Sequence, residues 1–563
     1  MKKQSTLQTT RRGHELAGAG ALALLSLSSQ AMADHSNHRC DRAQPGWVAG
    51  DFHQHSTYTD GSYSIAELHR ANAYYGLDWW ANSEHGGGFN RNARLSGLDL
   101  AATVYWDQTP GVTILGNVAT SGGHQNMWRW QCIRDFSFQD VLTARALYPD
   151  KTIIQGLEWN VPGHEHCSVG IIDNQFGKTV LNANPVAEFE YKFDNSDKDQ
   201  TGGAAQGWVK SAKSGHEKAI EAVSWLQTNY GKTSWAVPAH PERYIYNGST
   251  GYNINHFRDL NNAAPDVFFG FESMPGHQKS DDRGEYRYSR PSVGSVTYGG
   301  CGAFSAKVGG LWDALLGEGR HFWLFANSDF HSDLGADYWP GQYQKTHTYV
   351  ADKKNPQAIV DGLRSGNSFV AQADLIDGLG FSAQYGSEKA TMGESLAVNP
   401  KHGRGNPVKV TIRFKSPAAN HAPAGIDNVP VVDHIDLIAG SVSGKVQPLL
   451  ADGVTANPAY TDAANPSSAV IARFTSADWK TDEDGWNVVH CFLRTEGDAY
   501  LRLRGTNRKI GVDTGDIDAN GEPLPDGKLA ATDIDDTVKG DTEAWTDLWF
   551  YSNPIFISVG ERR

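Results

Sequence analysis

The stretch "GDFHQHSTYTDGSYSIAELHRANAYYGLDWWANSEHG" (residues 50–86) decides how the first half of this chain is read. "WVAGDFHQH" predicts a strand, and side chains two apart on a strand share a face, so His53 and His55 form a pair of imidazoles. Asp60 follows in a turn. "SIAELHRANAYYG" predicts a helix opened by Ser64, with Glu67 three residues on completing a capping box. "LDWWANSEH" is then a second strand, ending on His85.

The same alternation continues outward from Trp47 to about Ala373. "FQDVLTARALYPD" reads as a helix before the strand "KTIIQGLEWN", and "GHEKAIEAVSWLQTNYG" as a helix before "SWAVPAHP". "VFFGFES", "HFWLFANSD" and "HTYVAD" extend the strand series. Strands alternating with helices imply an α/β fold with a parallel sheet, and this many units favour a barrel over an open sheet. The metal-competent residues fall at strand C-terminal ends: His53/His55, His85, Glu158, His240 and Asp329/His331. Barrels of this kind place their sites there.

Past residue 376 the texture changes. "PVKVTIRFKS", "VVDHIDLIAGSV", "SAVIARFTS", "NVVHCFLRTEG", "AYLRLRG" and "PIFISVG" are short alternating strands between Gly, Asn, Asp and Pro turns. That spacing predicts an immunoglobulin-like antiparallel β-sandwich. The expected division is a leader at 1–33, a barrel at 34–375 and the sandwich at 376–563.

The leader has Lys2, Lys3, Arg11 and Arg12 before the apolar run "LAGAGALALLSLSS", and Ala31-Met32-Ala33 fits the cleavage rule. Thr9-Thr10-Arg11-Arg12 is similar to a twin-arginine signal, although His14 and Glu15 stand where a hydrophobic pair is expected. Export to the periplasm or outside the cell is the expectation. No later run reaches the 18 or so apolar residues of a membrane span. The net charge of −14 argues against nucleic acid as a partner. Five cysteines are spread too widely for a zinc ribbon; in an oxidising compartment Cys132 with Cys301 is one candidate pairing.

In order along the chain, "DFHQHSTYTDG", "ANSEHG", "GLEW", "PAHPER" and "ANSDFH" resemble the motifs of the polymerase-and-histidinol-phosphatase (PHP) phosphoesterases over roughly residues 47–375. The resemblance implies a distorted (β/α)7-type barrel, two or three divalent metals (Mn, Zn or Fe), and hydrolysis of phosphate esters. Carried over motif by motif, His53, His55, Glu158 and Asp329 hold a first metal. Glu158 bridges to a second, completed by His240 and a histidine of "GHEHC". Asp60, His85 and His331 hold a third. Either His164 or His166 fits the "GHEHC" position; His166 is preferred because "HCSVG" runs into a strand. Glu84, where the family more often has aspartate, is a candidate for orienting His85. Imidazole and carboxylate donors suit these metals on chemical grounds as well. Glu158 and Asp329 are the catalytic candidates, with Arg243 as a phosphate clamp and Lys345 as a second one.

Blander readings apply elsewhere. His216, His256, His277, His321 and His490 read as structural, Trp79 and Trp80 as core, and His69 as facing solvent or the barrel wall. Trp128 and Trp130, in a Gly-flanked loop, read as pocket-lining, and His124 is balanced between a substrate loop and nothing. "DIDANG" matches the first half of a calcium loop at Asp516, Asp518 and Asn520, but position twelve is Gly527 rather than glutamate. A small phosphomonoester is the expected substrate. A phosphodiester, another hydrolysable group, or a non-catalytic binding role are the competing readings.

Overall fold

The computed structural model describes residues 43–94, 103–177, 184–243, 251–280, 282–286, 296–399, 407–423, 429–526 and 544–560. The expected leader, its cleavage site and Cys40 lie outside these residues. Residues 43–563 cluster as one compact unit.

The principal strands of the first half are β1 (Gly46–Asp51), β2 (Trp79–Asn82), β3 (Thr152–Trp159), β4 (Cys167–Ile171), β5 (Ser234–Pro238), β6 (Gly270–Met274), β7 (Trp323–Ala326), β8 (Gln344–Val350) and β9 (Ser368–Gln372). Its principal helices are α1 (Ile65–Tyr74), α2 (Phe138–Leu147), α3 (Pro185–Phe193), α4 (Gly215–Tyr230), α5 (Ile254–Ala263), α6 (Leu311–Gly317) and α7 (Pro356–Ser365). The second half adds β10 (Gly378–Tyr385), β11 (Glu388–Thr391), β12 (Ser395–Val398), β13 (Val408–Lys415), β14 (His434–Ser441), β15 (Ala469–Thr475), β16 (Lys480–Thr481), β17 (Asn487–Leu493), β18 (Ala499–Thr506), β19 (Trp549–Ser552) and β20 (Ile555–Val559).

The fold is mixed α/β, with one large mixed sheet and a separate antiparallel sheet. The large sheet runs β12-β20-β18-β19-β9-β8-β1-β2-β3-β4-β5, with β14 on β18 and β15 on β14. Here the expectation of a parallel sheet fails. Only β1–β2 and β2–β3 are parallel in its first half, whereas β1–β8, β8–β9, β3–β4 and β4–β5 are antiparallel. Between β3 and β4 the connection 160–166 is too short for a crossover, so the chain returns antiparallel. A continuous barrel ladder is not traced either. β6 and β7 pair in parallel as a separate ladder, joined to the large sheet by isolated contacts: the Gln54–Phe330 bridge and Ala236 N–H donating to the Val267 carbonyl.

The antiparallel sheet, β11-β10-β13-β17-β16, packs its inner face against strands of the large sheet. Val408, Val410, Ile412 and Phe414 are buried at every second position of β13, and Ile435 and Leu437 of β14 and Leu501 and Leu503 of β18 meet them. Alternate residues of a strand share a face, so this period of two forms the core between the sheets. One pairing departs from the antiparallel expectation: β12 and β20 are parallel.

Helix α1 begins as expected at Ser64, whose hydroxyl accepts the Glu67 N–H. The capping box is half made, because the Glu67 carboxylate turns to Arg70 instead. The abundant tryptophan belongs largely to the interior: ten indoles, including those of Trp79, Trp80 and Trp130, are fully buried. Trp128 is buried too, which corrects its pocket-lining expectation. His69 is buried against Trp80 of β2, whose indole N–H donates to its Nδ1 at 2.7 Å, so of the two expected placements it takes the wall of the sheet and not solvent. The thiols of Cys132, Cys167, Cys301 and Cys491 are all free, so the candidate Cys132–Cys301 pairing is not made.

Candidate metal centre

Beneath the site lies an aromatic floor. Phe52 stacks on Trp79 at 5.9 Å and meets Trp235 and Phe325 edge-on. Strand β1 ends at Asp51, yet the chain continues extended enough for Gln54 to bridge Phe330. Gln54 therefore faces away while His53 and His55 both turn inward. Their Nε2 atoms lie 3.0 and 3.4 Å from Asp329 Oδ1.

Glu158, near the end of β3, is the hub. Its Oε1 lies 3.0 Å from His53 Nε2, 3.0 Å from His166 Nδ1 and 3.3 Å from His240 Nε2. Its Oε2 lies 3.2 Å from His55 Nε2 and 2.9 Å from His85 Nδ1. Asp60 meets His85 Nε2 at 3.1 Å and His331 Nε2 at 3.4 Å. These residues group as His53/His55/Glu158/Asp329, His55/Asp60/His85/His331, His85/Glu158/His166 and Glu165/His166/His240, with the donor atoms of each group within 4.8 Å of one another. Ligand bonds of about 2.0–2.2 Å span donors up to about 4.4 Å apart, and the contacts just given lie inside that reach.

The donors also fit metal ions by their orientation. His53 Nε2, both nitrogens of His55, His85 Nδ1 and Glu158 Oε2 are buried and make no hydrogen bond despite their close neighbours. Buried polar atoms left without a hydrogen bond, side by side, are a signature of a site that takes an ion. Behind them, the Glu272 carboxylate hydrogen-bonds His53 Nδ1 at 3.1 Å, and the Glu165 carboxylate lies 3.0 Å from His240 Nδ1. Such partners fix tautomer and ring orientation in metal sites.

Without ions the cluster is strongly polarised. Burial would push Glu158 up, but His166, His53 and His85 hold its carboxyl well below the usual range. Burial likewise opposes the charged form of His53, and Asp329, Glu158 and Glu272 carry its imidazole well above its ordinary value. His240 and Asp329 sit at positive φ, 33° and 45°. That backbone costs about 1–2 kcal/mol per residue outside glycine and concentrates at functional sites.

The cluster opens into a cleft of about 420 Å³. Arg243 lines it, with Nη2 3.0 Å from Asp329 Oδ2. His166, not His164, lines the cleft; His164 turns instead to His216, with 2.8 Å between Nε2 and Nδ1. The two histidines do not face the same way.

Other expectations are corrected. His277 is no structural bystander: its Nε2 lies 2.9 Å from Asp329 Oδ2 at the cleft wall, and Asp337 holds its Nδ1. Lys345 is buried on Asp374, 2.5 Å away, and does not line the cleft. Glu84 accepts from the Ser56 N–H and hydroxyl and from the Thr59 hydroxyl, bracing the 56–59 turn rather than orienting His85. His124 pairs with Asp107 and stacks on Tyr105, away from the cleft. At "DIDANG", Asp518 accepts the N–H groups of Asn520 and Glu522 and Asp516 pairs with Arg508. That is a self-satisfied turn, not the oxygen cage expected for calcium.

Sequence reasoning missed Glu165, Glu272, His277, Asp337 and Arg129. The buried Arg129 donates to the carbonyls of His85 and Tyr58 and so ties two ligand loops together. Glu272 was readable as a charge inside the apolar run "VFFGFES", and His277 as a histidine just beyond the end of β6. Arg129 and Asp337 carry no local signal.

No family model and no curated protein matches this chain. Among solved structures it is similar to a two-domain protein containing a predicted PHP-like metal-dependent phosphoesterase from Bacteroides vulgatus. Identity is 12%, the TM-score is 0.32, and 83% of this chain and 94% of that one are covered. It is also similar to PsfC from Pseudomonas syringae at 11% identity and a TM-score of 0.23, covering 54% and 82% respectively.

Proposed function

We propose that this chain is an exported, metal-dependent phosphoesterase of PHP type, acting on small organic phosphomonoesters. Its first half, to residue 375, is then a distorted barrel and its second half a sandwich. The observation that carries the proposal is the convergence of residues from all five motifs on Glu158 and Asp329 in one open cleft. Bound divalent metals supply hydroxide at neutral pH and neutralise phosphoryl oxygens.

The chain's own residues do the rest. His53, His55, Glu158 and Asp329 form one donor set, and Asp60, His85 and His331 another. Glu158 bridges toward His166 and His240. Arg243 presents its guanidinium at the cleft, where a planar fork matches phosphate oxygens. Asp329 holds that fork in place. Glu272 keeps the His53 ring aimed, and Glu165 sets a negative charge beside His240. The imidazole and carboxylate donors favour Mn, Zn or Fe over calcium.

Elemental analysis beside hydrolysis of a chromogenic phosphomonoester and the matching diester tests this. Two or three metals per chain are expected, with monoester turnover abolished in His53→Ala. Metal without turnover on either ester would overturn the phosphoesterase assignment, and faster diester turnover would overturn the monoester preference. N-terminal sequencing of the protein recovered from its producing cell tests export, with a start near residue 34 expected.

A further inference from the structure

We propose a second metal site, for a nitrogen-preferring divalent cation such as Zn²⁺, built from His164, His216 and His256 and oriented by Asp259. The three imidazoles come from separate segments: the connection after β3, the first turn of α4 and the first turn of α5. Their ring centroids are 5.0, 4.4 and 4.7 Å apart, and one nitrogen from each lies within 4.8 Å of the others.

The proton positions suit a metal. His216 Nε2 faces Asp259 Oδ2 at 3.2 Å, while Asp259 Oδ1 accepts the Tyr460 hydroxyl at 2.6 Å. A carboxylate anchored in this way takes the Nε2–H and leaves the His216 Nδ1 lone pair directed at His164 Nε2, 2.8 Å away. His164 stacks on Tyr252 and keeps Nδ1 buried beside the Gly251 backbone, a place for its ring proton once Nε2 ligates. His256 Nδ1 now accepts the Asn253 N–H at 3.1 Å. Ligation through its Nε2 moves the proton to Nδ1, so loading exchanges that capping contact for a metal bond. The His216 and Asp259 side chains are 26% and 32% exposed, which leaves a path for the ion. Three imidazoles with a fourth position open to water match zinc's tetrahedral preference.

The site shares no donor with the Glu158 cleft, so its test is independent of the phosphoesterase assignment. The full chain, stripped by chelator, is titrated with Zn²⁺ beside His216→Ala/His256→Ala and Asp259→Asn. Wild type should bind one zinc more than the double variant. Asp259→Asn should keep the stoichiometry and weaken that one zinc by about 10–100-fold. As a check needing no variant, zinc should protect His216 and His256 of the wild-type chain from diethyl pyrocarbonate, read by peptide mass spectrometry. Equal zinc binding in wild type and double variant, or labelling of both histidines unchanged by zinc, would overturn the site.

Discussion

Glu158 carries more of this molecule's chemistry than any other residue. Five imidazoles approach its two oxygens within 3.3 Å. Glu158→Gln preserves the shape but removes the charge that those rings face. The expected outcome is loss of at least one metal per chain by elemental analysis, with turnover falling by several orders of magnitude. Retained metal and activity would show that the imidazoles suffice. His277 acts one contact further out, through Asp329. His277→Ala should lower metal affinity or turnover by about 10–100-fold, the usual loss when an orienting partner is removed. A change below about twofold would return His277 to a packing role. Replacing it with Gln, which keeps a donor, should recover part of the loss.

At the scale of elements, β8 and α1 each bury a histidine that is kept neutral. His347, on β8, stacks flat on Phe369 at 4.6 Å, and burial pushes its imidazole down from 6.5 to about 3. His69, on α1, is pushed down to about 3 by the same cause. The unfolded chain takes up protons on these groups below about pH 6.5, while the folded chain does so only near pH 3. Both groups therefore leave stability intact above pH 6.5 and withdraw it as pH falls toward 3, each by about 1.4 kcal/mol per pH unit. Urea midpoints between pH 7 and 4.5 should fall, and His347→Phe, which keeps the stack, should make that fall shallower. An unchanged slope would show that His347 is not buried neutral. The start of α1 and the presence of a strand at β8 were legible in the sequence, because capping and strand composition are local properties. The direction of strand pairing was not. The turn 160–166 reverses the chain into an antiparallel hairpin inside a run that alternation alone reads as parallel.

At the scale of the whole molecule, the two halves are joined through their interiors. Strand β9 pairs with β19, from Phe369–Ser552 to Ala371–Phe550, so one sheet crosses residue 375. Arg502 on β18 makes a two-pronged ion pair with Asp313 on α6, at 2.7 and 2.8 Å, and both side chains are fully buried. Removing one partner of such a pair strands a charge, so Arg502→Ala should cost about 3–5 kcal/mol in urea denaturation. A fragment ending at residue 375 would bare the β9 edge, an aggregation-prone surface. It should fail to melt cooperatively as a monomer, in calorimetry and gel filtration. A well-behaved fragment would mean that the halves fold separately.

By itself the sequence marked the donor types: His53, His55, His85, Glu158, His240, Asp329 and His331 stand out by type and by place at strand ends, and Asp60 by its turn beside them. It also determined the alternating strands of the second half. Both follow from short-range rules, since residue type sets donor chemistry and spacing sets which way side chains point. Only the tertiary structure decided which of His164 and His166 enters the cleft, that His277 joins it, and that His164 meets His216 and His256. It likewise decided that Glu165, Glu272 and Asp337 stand behind the rings, and that one sheet spans both halves. Those outcomes depend on contacts between segments far apart along the chain, and the packing of the folded core, not local pattern, sets them.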